Sequence, residues 1–409
     1  MNLRNYILTS IACFVTLPAL VSAETLIVTP EGLPSLVRNG NPSLAAARLA
    51  IDEAAGRLLG SGRLSNPELE VAGRHNHQFK EGGVEVGLSQ KFPMTARLEL
   101  EREVSTAELE RARAEVADAE RRLIADAKEV LIKLLALDDE RHLLERQQGV
   151  AGELVETISA AAKRGESSSL DAGQARIEVL RIKSEARGLD ARAATLLGEL
   201  RRLIGASVDS QLRVGGELRD PVLPGGSVDV TKRSDYQAMR HAIDGAGTRV
   251  DLERAKRLED IEVGLVAGWE RSEDVPEGFE NEGIIGVRMT LPLPFWNKNE
   301  GGIAEAEASA KRRLLEAEVL RQNIHTEAST ALAEMREWLG VFNELGEDAL
   351  PTIEEQAGTA EKAYRNGQLA LQSYLRIREQ QLALEVTRLR ALESFHLAKV
   401  RYEAALGEF

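Results

Sequence analysis

The sequence predicts a mainly α-helical protein with a small β part, laid out twice on one helix, hairpin, helix plan. Three observations lead there. Aromatic residues make up 4% of the 409 positions and charged residues 29%, a composition that favours long helices over compact cores. Two pairs of short segments alternate between apolar and other residues, as strands with one greasy face do. Short matches also recur in order at a nearly constant offset. Ala50-Ile51-Asp52 and Glu70-Val71 return as Ala242-Ile243-Asp244 and Glu262-Val263 after 192 residues. The strand ends at Pro93 and Pro294 are 201 apart, and Gly165 and Gly205 return as Gly367 and Gly407 after 202.

The net charge of −14 argues against a nucleic-acid partner, because phosphate binding calls for a basic face. At the start of the chain, Arg4, an apolar run over 6–21 and Val21-Ser22-Ala23 read as a secretory signal peptide, residues 1–23, cleaved after Ala23. Cleavage would remove Cys13, the single cysteine, and with it any disulfide or thiolate metal ligand. No other stretch approaches the ~20 apolar residues of a membrane-spanning helix.

The first repeat covers 24–206. Residues 44–64 form a helix bounded by Pro42 and Asn66-Pro67. Leu69 and Val71 alternate with Glu68 and Glu70, residues 74–83 are turn-like, and Val84, Val86 and Leu88 alternate with Glu85, Gly87 and Ser89. This is a β-hairpin with strands at about 68–76 and 84–93. A helical hairpin over about 95–205 follows. Its first arm keeps apolar residues five to seven apart from Val104 to Leu144 and would reach ~100 Å if continuous, although Gly149 and Gly152 weaken that continuity. Its second arm starts at 167–170 and ends before Gly205, where glycine is favoured.

Residues 207–230, rich in glycine and proline, read as an irregular connection lying against the helices, with a domain linker as the alternative. The second repeat, 231–409, has strands at about 260–270 and 283–295 joined by a polar loop over 271–282, and a helical hairpin over about 299–407, kinked or broken at Pro351. In its last strand Ile285, Val287, Met289, Leu291, Leu293 and Phe295 alternate with Gly286, Arg288, Thr290, Pro292 and Pro294. Prolines cannot donate ladder hydrogen bonds, so pairing should stop there.

Two hairpins cannot close a barrel, and an open sheet in lipid leaves backbone groups unsatisfied. Other copies of the chain are therefore expected to complete it. Strands of roughly 9–11 residues suit an outer-membrane crossing. With the apolar faces in lipid, Glu70, Glu85, Glu262, Arg288 and Thr290 would line the bore. Pro93, Pro292, Pro294, Phe295 and Trp296 would mark the barrel-to-helix junction, with the two aromatics near the lipid interface.

Over essentially all of the chain beyond residue 23, this plan resembles the outer membrane factors of the TolC family. Within it, LPLPFWNKN at 291–299 followed by GGIAEA at 301–306 is similar to the motif of the heavy-metal efflux branch of CzcC type. The resemblance implies a homotrimer in which each chain gives four strands to a twelve-stranded transmembrane β-barrel, continued by a long periplasmic α-helical barrel. The location implied is the outer membrane of a Gram-negative bacterium, extending into the periplasm. The function implied is a passive exit duct for heavy-metal cations, working with a periplasmic adaptor and an inner-membrane RND transporter, with no catalysis, cofactor or bound metal.

RGESSSLD at 164–171 and YRNGQLAL at 364–371 look like the family's two periplasmic turns. Gly165, Ser167, Ser168, Leu170, Gly367, Leu369 and Leu371 are the implied adaptor contacts. Asp171 and Tyr364 match positions whose bonds hold the tunnel entrance closed, as a carboxylate and a phenol can do. The chain departs from the pattern at Leu369, where an arginine is expected, and at Ser373 and Arg376, where some members carry aspartates.

Export of organic compounds or of a polypeptide is the alternative cargo. A periplasmic coiled-coil adaptor is the alternative class, but it would carry one helical hairpin between β-rich domains, whereas here two hairpins flank separate strand pairs. His75 and His77 could share a soft cation, yet a solvated loop is the better reading with no further ligand nearby. No phosphate-cradling loop or nucleophile motif is present.

Overall fold

The computed structural model describes residues 25–165, 168–226, 228–274, 276 and 278–409. The signal-peptide reading, Cys13 and Ser167 lie outside these residues. Among the described residues the chain forms eight α-helices and six strands.

The helices stand in four parallel columns. The first stacks α2 (Pro42–Gly60) on α4 (Ser169–Ile204), and the second is α3 (Arg97–Lys163) alone. The third stacks α5 (Ser234–Ala255) on α8 (Leu371–Leu406), and the fourth runs α6 (Glu300–Glu344) into α7 (Leu350–Arg365). Helix α3 is unbroken for 67 residues, or ~100 Å. Gly149 and Gly152 do not interrupt it. A Cβ added at either would meet nothing within 4 Å, so no close approach requires these glycines, and each costs its poor helix propensity, ~1 kcal/mol.

In the stacked columns one helix begins where another ends. Asn41 caps α2 through Leu44 N–H, 3.0 Å from its Oδ1, while its Nδ2 donates to Leu203 O at 2.7 Å near the end of α4. Gly205 turns the chain there with φ 65°, and a Cβ on it would fall 1.8 Å from Gly40 O. In the other stacked column Gly407 plays the same part, with φ 74° and Arg233 against it. Arg233 is 4% exposed and ion-paired to Asp235 and Glu327 at 2.5 and 2.6 Å.

Around the first seam lies the largest apolar cluster, the waist of the molecule. Ile124, Ala127, Val130, Leu131, Leu134 and Leu135 of α3 are buried by α4 and by a short helix, α1 (Leu33–Gly40). A parallel two-stranded sheet of β1 (Thr25–Val28) and β4 (Gln211–Val214) belongs to the same cluster. Sequence reasoning missed α1 and β1, and it took 207–230 as irregular throughout. Four-residue strands paired across the whole first half leave no periodicity long enough to read. A second cluster, centred on Met335 and the fully buried Phe395, serves the other seam.

At Pro351 the α-helical register is interrupted: α6 ends at Glu344 and α7 begins at Leu350. The five residues between them, Leu345–Ala349, form a π turn in which Leu350 N–H donates to Leu345 O. The wider turn accommodates a residue that lacks an N–H and would clash in the ordinary register.

Candidate functional site

The larger sheet stands at one end of the columns in the order β2-β3-β5-β6, all antiparallel: β2 (Glu68–His75), β3 (Gly82–Phe92), β5 (Ile261–Asp274) and β6 (Gly278–Thr290). Strand β6 is displaced from its expected span of 283–295. Pairing stops at Thr290, two residues before Pro292, so Leu291, Leu293 and Phe295 lie outside the ladder. At the other end β5 and β6 continue through residues read as a polar loop, paired from Trp269↔Gly283 to Asp274↔Gly278. Alternation fades there because both faces are polar, but the ladder does not need it.

Register decides the faces. Glu70 pairs with Gly87, Gly87 with Val266 and Val266 with Gly286, and directly paired residues share a face. The pairings therefore put Glu70, Glu85, Glu262, Arg288 and Thr290 together on one side. Val71, Val86, Leu265, Ile285 and Val287 occupy the other, where Ile285 is 90% exposed. Arg288 on β6 donates to Glu85 Oε1 at 2.6 Å and to Glu70 Oε2 at 3.4 Å. Strands β2 and β6 are the two edges, ~14 Å apart in a flat sheet at three strand spacings. Side chains rising from a flat sheet would not meet across that span, so the polar face is concave. Glycines floor it: a Cβ on Gly83 would stand 2.7 Å from Trp269 O and one on Gly268 3.2 Å from Val84 O.

Where strands pass into helices, hydrogen bonds tie the two halves together. Thr95 Oγ1 donates to Ala255 O at 3.2 Å, and Arg97 bridges Asp260 and Glu101 at 2.6 and 2.7 Å. After β6, Asn299 adopts φ 56° at the start of α6. Its Nδ2 donates to the carbonyl of Glu253 at 2.9 Å and to the Glu253 carboxylate at 2.8 Å. Hydrogen bonds from Lys256 and then Asn299 hold that carboxyl below the usual range. A Cβ on Gly302 would lie 2.5 Å from Asn299 Oδ1, so this joint accounts for both the Asn and the second Gly of the 291–306 motif. Beside it Phe295 and Trp296 form an edge-to-face pair at 6.1 Å, and Trp296 is 95% exposed. Sequence reasoning noted the motif but not the bond, because Glu253 lies 46 residues upstream.

At the opposite end Gly165 and Gly367 turn the two helical hairpins with φ 77° and 73°. Ser168 caps α4, accepting from Leu170 N–H at 3.1 Å, and Leu170 is exposed. Leu371 is instead buried with Ile158, Ala175, Ala360 and Tyr374, while Leu369 packs at the edge of that cluster. Leu371 thus supports the turn from beneath. Tyr364 stacks on Tyr374 at 5.4 Å. Burial, then the nearby Asp171 carboxylate and Tyr374, push its phenol up. Among the described residues no hydrogen bond joins Asp171 to Tyr364.

Among the described residues no helix is long and apolar enough to cross a membrane, and no three His, Cys, Asp or Glu side chains are grouped to hold a metal ion. His75 stacks on Phe79 at 4.0 Å.

Residues 33–206 match the family model described as Outer membrane efflux protein. Solved structures similar to the chain include CusC, at 16% identity over 92% of both chains with a TM-score of 0.77. CmeC of Campylobacter jejuni is similar at 15% identity over 92% of this chain and 85% of its own, with a TM-score of 0.74. MtrE of Neisseria gonorrhoeae, an outer membrane channel in its open state, is similar at 18% identity over 92% and 88%, also with a TM-score of 0.74. The fold is that of outer membrane efflux channels. No curated protein sequence matches the chain. In this efflux-channel fold the concave sheet, the joints and the glycine turns occupy one end, the boundary and the far end of the columns.

Proposed function

We propose that the chain is the outer-membrane exit duct of a tripartite efflux system. The observation that carries this reading is the four-stranded sheet, concave and charged on one side, convex and exposed-apolar on the other, with both edge strands unpaired. An open sheet with an apolar face is stable in lipid only if closed, and three copies would close twelve strands. The outer helix columns support the same closure. Leu49, Leu59, Ile177 and Leu180 are exposed on one, and Leu314, Leu315 and Val319 on the other.

In this reading Glu70, Glu85, Glu262, Arg288 and Thr290 line the bore, while Pro93, Pro292, Pro294, Phe295 and Trp296 mark the membrane boundary. The exposed tip around Gly165, Ser168, Leu170 and Gly367 meets a periplasmic adaptor that joins the duct to an inner-membrane RND transporter, and Asp171 with Tyr364 forms part of the entrance. Heavy-metal cations are the proposed cargo, on the strength of the 291–306 motif, with organic compounds as the second reading.

The test has two parts. Heat-modifiable trimers in outer-membrane fractions are expected, and a soluble monomer would sink the duct. Deletion is expected to sensitise cells to divalent metals more than to lipophilic drugs, and the reverse order would transfer the cargo to organic compounds.

A further inference from the structure

The concave face of the sheet carries three cationic side chains among the described residues, and each is neutralised there. Arg74 pairs with Glu270 at 2.8 Å, Lys91 with Glu68 at 3.2 Å, and Arg288 with Glu85 and Glu70 at 2.6 and 3.4 Å. Arg288 differs from the other two. It is shared between two carboxylates, and it joins β6 to the opposite edge strand. Its guanidinium offers separate nitrogens to the two partners, Nη2 to Glu85 and Nη1 to Glu70, a geometry that an ammonium does not reproduce as a planar fork. Glu262, Glu280 and Glu282 belong to the same face by register and make no ion pair among the described residues.

These pairs are roughly half exposed, and exposed ion pairs add little to stability, ~0–1 kcal/mol. Their larger effect is on the field. A wall with more carboxylates than cations concentrates cations near it, and the field strengthens when low-dielectric walls surround water. Arg288 covers two of those carboxylates near the middle of the sheet.

We propose that Arg288 is the specificity-determining residue of this wall, setting how strongly the barrel prefers cations to anions by masking Glu70 and Glu85. The proposal rests on the duct reading. Removing the guanidinium takes one positive charge from each chain and exposes two carboxylates, and the passage becomes more cation-selective. Removing the two carboxylates leaves the guanidinium unmatched and drives selectivity the other way.

The experiment is the zero-current potential of the purified full-length protein in planar bilayers under a KCl gradient centred on 0.1 M. There the screening length is ~10 Å. Arg288→Gln is expected to raise the potassium-to-chloride permeability ratio by about twofold or more. Glu70→Gln combined with Glu85→Gln is expected to lower it, and Arg288→Lys, which keeps the charge, to leave it near the wild-type value. Around 1 M salt, where screening falls to ~3 Å, the differences should collapse. A conducting wild type whose ratio is unmoved by Arg288→Gln and by the double substitution would overturn the inference and leave the duct standing. If Arg288→Gln does not assemble, an unmoved ratio in the double substitution overturns it alone. A wild type that conducts nothing overturns the duct reading and this inference together.

Discussion

The waist and the sheet solve the problem of burying apolar surface in opposite ways. At the waist, α3 is covered on more than one side by its own chain, through α1, α4 and the β1–β4 pair, and its middle turns hold Val130, Leu131, Leu134 and Leu135 out of solvent. In the sheet the chain covers nothing: Ile285 and Val287 are among the most exposed apolar residues. The contrast shows which apolar surface the chain covers by itself, and which it leaves open. Destabilising substitutions should separate accordingly.

The largest effect is expected at the first seam. Gly205→Val places a branched side chain where a Cβ alone would stand 1.8 Å from Gly40 O, at a backbone with positive φ. A loss of ~4 kcal/mol or more should appear as failure to accumulate folded protein, measured by circular dichroism with or without a membrane. Phe395→Ala empties a fully buried position in the second waist cluster and should cost ~3–5 kcal/mol in denaturant unfolding, again regardless of lipid.

Ile285→Arg should divide the two regions. On the lipid side of a barrel it costs ~2–4 kcal/mol at mid-depth and should deplete the outer-membrane fraction. Thermal unfolding of the helices in solution should move by less than ~0.5 kcal/mol. Equal effects in both assays would mean that the apolar face is covered by protein. The smallest change is expected at the joint between the regions. Asn299→Ala should cost ~1 kcal/mol or more, from the lost bonds to Glu253 and a left-handed backbone that alanine disfavours, and Asn299→Gly less, because glycine keeps that backbone and loses only the bonds. Thermal melts of the two variants would tell backbone from side chain.

Much of this was legible in the sequence, where period and punctuation are local. The alternation of Val84, Val86 and Leu88 marked β3, the apolar spacing from Val104 to Leu144 marked α3, and Gly165 and Gly367 marked turns that the structure makes with positive φ. What was not legible depends on distant pairing. Val28 beside Val214, Asn299 beside Glu253, and Arg288 reaching Glu70 across four strands leave no trace in any window of neighbouring residues. The polar loop assigned to 271–282 failed for a related reason: strand pairing there continues by backbone bonds after the apolar rhythm has stopped. The set of residues that shares the polar face could be named from alternation, but not the curvature that lets them touch.

The seam at Asn41 also bears on how torque passes along the molecule. Helices α4 and α2 meet end to end through one side-chain hydrogen bond and a glycine turn, whereas α3 beside them is a continuous rod. The second pair of columns has the same arrangement, with a stacked column beside the run of α6 through its π turn into α7. The covalent path from tips to sheet is therefore one helix in α3 and a helix with a single π turn in α6 and α7, whereas each stacked column transmits load through a packed joint between two helix ends.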